Sequence, residues 1–210
     1  MNRILLFFCL LFGLYSCHTP STTKTPPANI VSEFRITSTQ VGAIRKGMTI
    51  KELYAALPED RIKKLKTRTE LSNETADYYY IYGDSSRLLL IVNTERQNDE
   101  RSRISRIIVK DKRFQTASGI GLASTVGTIR TAYPHSQFLP SVDEIILYVP
   151  EIDANFEINK RLLPPSLAID STGEIAPDSI PAQTKVTDLS IFWDYSIKNL
   201  ADKTFWKNLD

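Results

Sequence analysis

Residues 41–58, VGAIRKGMTIKELYAALP, and residues 117–134, ASGIGLASTVGTIRTAYP, can be laid on one another without a gap at a separation of 76 positions. Ile44/Ile120, Thr49/Thr125, Ala56/Ala132 and Pro58/Pro134 are identical, and Ile50/Val126, Leu53/Ile129 and Leu57/Tyr133 stay apolar. Self-similarity at a fixed spacing is the signature of a tandem repeat. The kept positions have a physical purpose. Thr49 followed by Glu52 is a capping box, in which each side chain satisfies an orphan amide at a helix start, and Met48 with Leu53 is placed to form the hydrophobic staple. Ile50, Leu53, Tyr54 and Leu57 then fall on one helical face, and Pro58 stops the run. The second copy keeps the Thr125 cap, replaces the glutamate by Thr128 and carries Gly127 in the first turn, so its helix is expected to be weaker.

Moving outward, each helix is followed by strand-like segments. Tyr78 to Tyr82 and Arg87 to Val92 flank the turn cluster Gly83 to Ser86, and Ile104 to Val109 follows a charged loop. In the second copy Ile145 to Val149 and Asn155 to Ile158 flank Pro150 to Ala154, and Val186 to Trp193 follows a Pro-rich stretch from Arg161 to Gln183. Strands adjacent in sequence and joined by short turns pair antiparallel. The expected fold class is α+β: two tandem helix-strand-strand-strand repeats, 37–112 and 113–195, sharing an antiparallel sheet with short helices on one face.

Gly47-Met48-Thr49 with Leu53, a glycine-containing turn leading into a short helix and three strands, resembles the repeat of beta-lactamase inhibitory protein and of the small lipoprotein of the outer-membrane barrel-assembly machine. Gly119-Ile120-Gly121 with Ser124-Thr125, Ile129 and Tyr133-Pro134 is similar to a variant common in bacterial lipoproteins. The resemblance spans roughly Ser38 to Trp193. Its motifs are caps, turns and apolar positions, so it implies architecture and carries no catalytic residue.

The first sixteen residues read as an export signal. Arg3 and the amine precede an apolar run from Ile4 to Tyr15, twelve residues, against the roughly twenty a helix needs to cross a bilayer. Leu14-Tyr15-Ser16-Cys17 resembles the lipobox of bacterial lipoproteins, which implies cleavage after Ser16, acylation of Cys17 and, with His18 next, an outer-membrane location. Loss of residues 1–16 from 210 leaves 194, and the net charge of +2 falls to +1 because Arg3 is the only charged residue removed. With so small an excess, nucleic acid is not an expected partner. Cys9 leaves with the signal and Cys17 is given to lipid, so no disulfide can form in the mature chain. Residues 17–36 include TPSTTKTPPAN and read as a tether that holds the folded part on the order of 20 Å from the membrane.

Material for chemistry is scarce: 42% of residues are apolar and 24% charged, and His135 is the sole histidine after the lipobox region. His135 follows the helix-ending Pro134 and reads as a solvated turn residue rather than a general base. Asp143, Glu144, Glu151 and Asp153 form the densest acidic group; without calcium-loop spacing they read as the polar margin of a hairpin. Neither a metal site nor a small-molecule cofactor is expected. Arg61, Lys63, Lys64, Lys66 and Arg68 could meet anionic lipid or polymer, with blunting of a sheet edge as the preferred role. Tyr78, Tyr80 and Tyr82 share one face of a strand whose other face carries Tyr79 and Ile81. Three tyrosines on an uncovered sheet face are candidate partner-binding residues, and ordinary cross-strand packing is the competing role.

Ile197, Leu200 and Ala201, followed by Phe205 and Trp206, give the segment 196–210 a helical apolar spacing, suited either to packing on the domain or to docking on a partner. The composite expectation is an outer-membrane lipoprotein that binds an envelope protein or component without catalysis; a small carboxylate-using hydrolase and a structural spacer are the rivals. Radiolabelled fatty acid should enter the wild-type chain and not Cys17→Ser; equal labelling of both would end the lipoprotein reading.

Overall fold

The Thr49 hydroxyl accepts the Glu52 amide at 3.3 Å while the Glu52 carboxylate accepts the Thr49 amide at 2.8 Å, closing the capping box of helix α1, Ile50–Ala56. Leu57 leaves the helix in an extended conformation, as a residue before proline must. Helix α2, Val126–Ala132, has the same reciprocal start: the Thr125 hydroxyl accepts the Thr128 amide at 3.3 Å and the Thr128 hydroxyl accepts the Thr125 amide at 3.0 Å. Threonine thus serves where glutamate serves in α1. Both helices are seven residues long, too short to be stable alone.

The computed structural model describes residues 33–68, 75–84, 86–141, 143–167, 175–176 and 179–193. Residues 1–32, with Cys17 and the expected signal, and the segment 194–210 lie outside these. Phe34 and Ile36, assigned above to the tether, belong to the folded body: Ile36 is buried, and Phe34 meets Phe114 edge-on with centroids 5.1 Å apart. Among the described residues no helix is long and apolar enough to cross a membrane.

A small hairpin, β1 (Gln40–Val41) and β2 (Ile44–Arg45), precedes α1. After α1 come β3 (Ile62–Arg68), β4 (Thr75–Tyr82), β5 (Leu88–Thr94) and β6 (Ile104–Val109). After α2 come β7 (Gln137–Pro140), β8 (Glu144–Val149), β9 (Ala154–Asn159) and β10 (Asp188–Phe192). The long strands form one eight-stranded antiparallel sheet in the order β3-β4-β5-β6-β10-β9-β8-β7. The mixed α+β class and the antiparallel sheet agree with the sequence reading.

The strand count does not: among the described residues each helix is followed by four strands, not three. β3 carries the cations read above as blunting a sheet edge but is absent from the repeat's expected strand count, and β7 has only four residues and ends in proline. Both are sheet edges, where lysine and proline discourage pairing with other chains. Lys64 is tolerated on the helix-bearing face of β3 because its ammonium reaches the buried Asp77 carboxylate at 2.9 Å. Burial opposes the ionised form of Asp77, yet Lys64 and the Asn98 amide hold its pKa below the usual value.

Alternate strand residues build a single core on one face. Tyr79 and Ile81 of β4, Leu90 and Val92 of β5, Ile107 and Val109 of β6, Leu189 and Ile191 of β10, and Leu147 of β8 join Ile50, Leu53, Val126 and Ile129 of the helices. Tyr54 of α1 meets Tyr79 edge-on at 6.4 Å, and Arg130 of α2 lies 5.7 Å from the Phe138 ring of β7. Phe138 opposes the core residue Leu147, so both helices cover the same face.

Gly127 is not the weakness expected of it. Loop carbonyls cap the first amides of both helices: Ile50 and Lys51 donate to Ser102 and Glu100 at 3.3 and 2.9 Å, Val126 and Gly127 to Thr184 and Ala182 at 2.9 and 2.7 Å. The Ala182 loop comes so close that a β-carbon at Gly127 would stand 2.9 Å from the Ala182 methyl and 3.0 Å from its carbonyl oxygen. Gly127→Ala should therefore lower stability by about 1 kcal/mol despite the better helix propensity of alanine, while Lys51→Ala should change it by less than about 0.5 kcal/mol. Urea midpoints of the two variants decide this.

Candidate functional site

The face opposite the helices is made of the other alternate residues, and their register sets which side chains meet. One row crosses the whole sheet: Lys63, Tyr80, Ile91, Ile108, Ser190, Asn155, Tyr148, Gln137. Its midpoint is the Ile108/Ser190 pair of β6 and β10, and stepping outward from it Tyr80 and Tyr148 occupy matching places. A second row runs Leu65, Tyr78, Asn93, Arg106, Phe192. A third, in the other half, runs Asp188, Glu157, Ile146, Leu139.

The structure thus places Tyr78, Tyr80 and Tyr82 together on the helix-free face, each half-buried, with Tyr79 and Ile81 buried beneath on the other side. Period-two alternation made that placement readable. Ile91, Arg106, Ile108 and Phe192, which complete the surface, are brought in by neighbouring strands and were not singled out. The Arg106 guanidinium stacks 4.9 Å from the Phe192 ring and donates from Nη2 to Ser190 Oγ at 3.0 Å.

The second half of the face is acidic. Glu157 of β9 lies 3.7 Å from Arg106 Nη2, with Asp188 opposite it on β10 and Glu144 across on β8. Burial pushes the Glu157 carboxyl up to about 7; the Glu144 and Asp188 carboxylates act in the same direction and Arg106 against it. Asp188 is itself held by Lys110 at 2.7 Å. Glu157 escaped the sequence reading because it sits singly in β9, and its neighbours come from other strands.

The acidic group chosen from sequence is dispersed. Glu144 joins Glu157, Glu151 lies 3.2 Å from Nδ1 of the exposed His135, and the buried Asp153 accepts from Lys46 Nζ at 3.0 Å. Among the described residues no set of three metal-ligating side chains converges. In the basic run Arg61 pairs with Asp84 and Lys64 with Asp77, and Lys63, Lys64 and Lys66 are all exposed along the β3 edge. Recesses of about 540 and 370 Å³ lie beside α1 and α2, away from the tyrosine face.

No protein-family model and no curated protein sequence matches the chain. Among solved structures it is similar to the uncharacterized protein yfeY from Escherichia coli, with a TM-score of 0.49 and 13% identity over 75% of this chain and 99% of that one.

Between pH 4.5 and about 7 the folded chain keeps a proton on Glu157 that the unfolded chain has lost. Stability should therefore fall as pH rises through that window and level off above it. Glu157→Gln should remove this slope, raising stability at pH 8 by on the order of 2 kcal/mol and changing it little at pH 4. Parallel stability profiles of variant and wild type would show that Glu157 titrates like an exposed glutamate.

Proposed function

We propose that this chain is a non-catalytic binding module, anchored to the bacterial outer membrane through lipidated Cys17, whose helix-free sheet face holds an envelope protein or component. The observation that carries the reading is the half-buried tyrosine strand, Tyr78, Tyr80 and Tyr82, continuous with Ile108 and Phe192 on a face the helices leave uncovered. Tyrosine gives large contact area at little cost in rotamer freedom and keeps a hydroxyl for the partner, which suits such a surface.

Two tandem copies of one unit form the second part of the proposal. In its favour, Thr49 and Thr125 start their helices with the same box and bridge Arg103 and Lys185 respectively. The loop before the last strand caps the helix in both halves, and those last strands pair with each other at the sheet centre. Resemblance to the repeats of beta-lactamase inhibitory protein is a proposal on the same footing.

A carboxylate-using hydrolase is the rival that one observation favours, namely Glu157 with Glu144 beside it. The site lies on an open sheet face, however, and Arg106 and Ser190 already occupy Glu157. Lipidated full-length chain should capture a specific protein from envelope extracts, and Tyr78→Ala/Tyr80→Ala/Tyr82→Ala should abolish capture while circular dichroism stays unchanged. Capture that survives the triple change would remove the tyrosine face from the binding surface.

A further inference from the structure

We propose that the β3 edge is a lipid-binding surface, resting on the anionic headgroups of the bilayer that holds the anchor, with Leu65 entering the interface between lysines. β3 reads IKKLKTR, four cations and no carboxylate, and β4 beside it holds one carboxylate, Asp77. Asp77 is buried and takes the Lys64 ammonium at 2.9 Å, so the exposed charge of this edge is positive. Lys63, Lys64 and Lys66 are all exposed. Leu65 among them is 37% exposed, one of two exposed large hydrophobic residues among those described. The mature chain as a whole carries only +1, so any attraction to an anionic surface has to be local.

Blunting against other strands accounts for a lysine at this edge but not for the leucine. The opposite edge, β7, reads QFLP and has no charged residue; its proline suffices. An edge built only to refuse strands would gain from a polar residue at position 65. Leucine between lysines fits a lipid interface instead, because a lysine stem lies along apolar surface while its ammonium reaches the phosphates. The anchor lies within reach. The described chain begins at Glu33, and Phe34 and Ile36 exchange backbone hydrogen bonds of 2.9 Å with Gln115, in the loop that leaves β6. β6 is three strand spacings from β3, about 14 Å, and the sixteen residues 17–32 span at most about 55 Å. With β3 on the membrane the sheet stands up from it, and the helix-free face, which Tyr78 joins to this edge through its pairing with Leu65, opens sideways to a neighbouring envelope protein.

The inference rests on the proposed function for the anchor alone, and one experiment tests it apart from that reading. The mature chain, with Cys17→Ser in place of the acylated cysteine, is mixed at low salt with vesicles of phosphatidylcholine and phosphatidylglycerol in equal amounts, and bound protein is read by co-sedimentation. Binding is expected, absent with pure phosphatidylcholine and lost at high salt. Lys63→Gln/Lys66→Gln, which keeps Lys64 for Asp77, should weaken it about 30-fold, and Leu65→Gln about fivefold, each with an unchanged urea midpoint. Lys63→Arg/Lys66→Arg should bind as the wild type does. Lys51→Gln/Lys112→Gln, an equal loss of exposed charge elsewhere, should change little. No binding to the anionic vesicles, equal binding to the neutral ones, or equal losses in the two glutamine pairs would overturn the inference. Labelled Cys17 without vesicle binding would keep the anchor and dismiss the lipid-binding edge; vesicle binding by a chain that takes no label would keep the edge and dismiss the anchor.

Discussion

The pairing of β6 with β10 is the joint on which the molecule depends. It brings Ile107 opposite Ile191 and Val109 opposite Leu189, four side chains with no exposed surface, and so merges two four-stranded halves into one core. Unpaired, each half would present a bare apolar edge. The register is strongly specified, because a slip of one residue would send Ile107 and Val109 to the helix-free face and drive Arg106 into the core. Ser190, fully buried at the centre of the joint, is satisfied by the Arg106 guanidinium.

Helix initiation is tied to the same joint. Each seven-residue helix has its first amides satisfied partly by its own threonine box and partly by carbonyls of the loop that leads into β6 or β10. The loop cannot take that position unless its strand is paired, so helix and sheet form together. Gly127 shows the consequence most plainly, as the Ala182 carbonyl sits where a side chain would begin.

Matching positions about the sheet centre carry different chemistry. Tyr80 and Tyr148 correspond, but Ile91 corresponds to Asn155, and the surroundings of Tyr80 are apolar while those of Glu157 are charged. One framework thereby offers an aromatic half and an acidic half on a continuous surface. Arg106 links them, touching Phe192 on one side and Glu157 on the other.

Local pattern in the chain was enough to specify the helix starts at Thr49 and Thr125, their stops at Pro58 and Pro134, the antiparallel class and the alternation of Tyr78, Tyr80 and Tyr82 away from Tyr79 and Ile81. These follow from capping, proline geometry and the two-residue period of a strand, which act over a few neighbours. The cations of β3 marked a sheet edge, but that Lys64 lies on the helix-bearing face was decided by Asp77, placed there by β4, which accepts its charge. The raised carboxyl of Glu157, the central β6–β10 register and the need for glycine at position 127 arise between residues far apart in the chain. Only tertiary structure could decide them, because desolvation, charge coupling and close backbone approach depend on which strands and loops become neighbours.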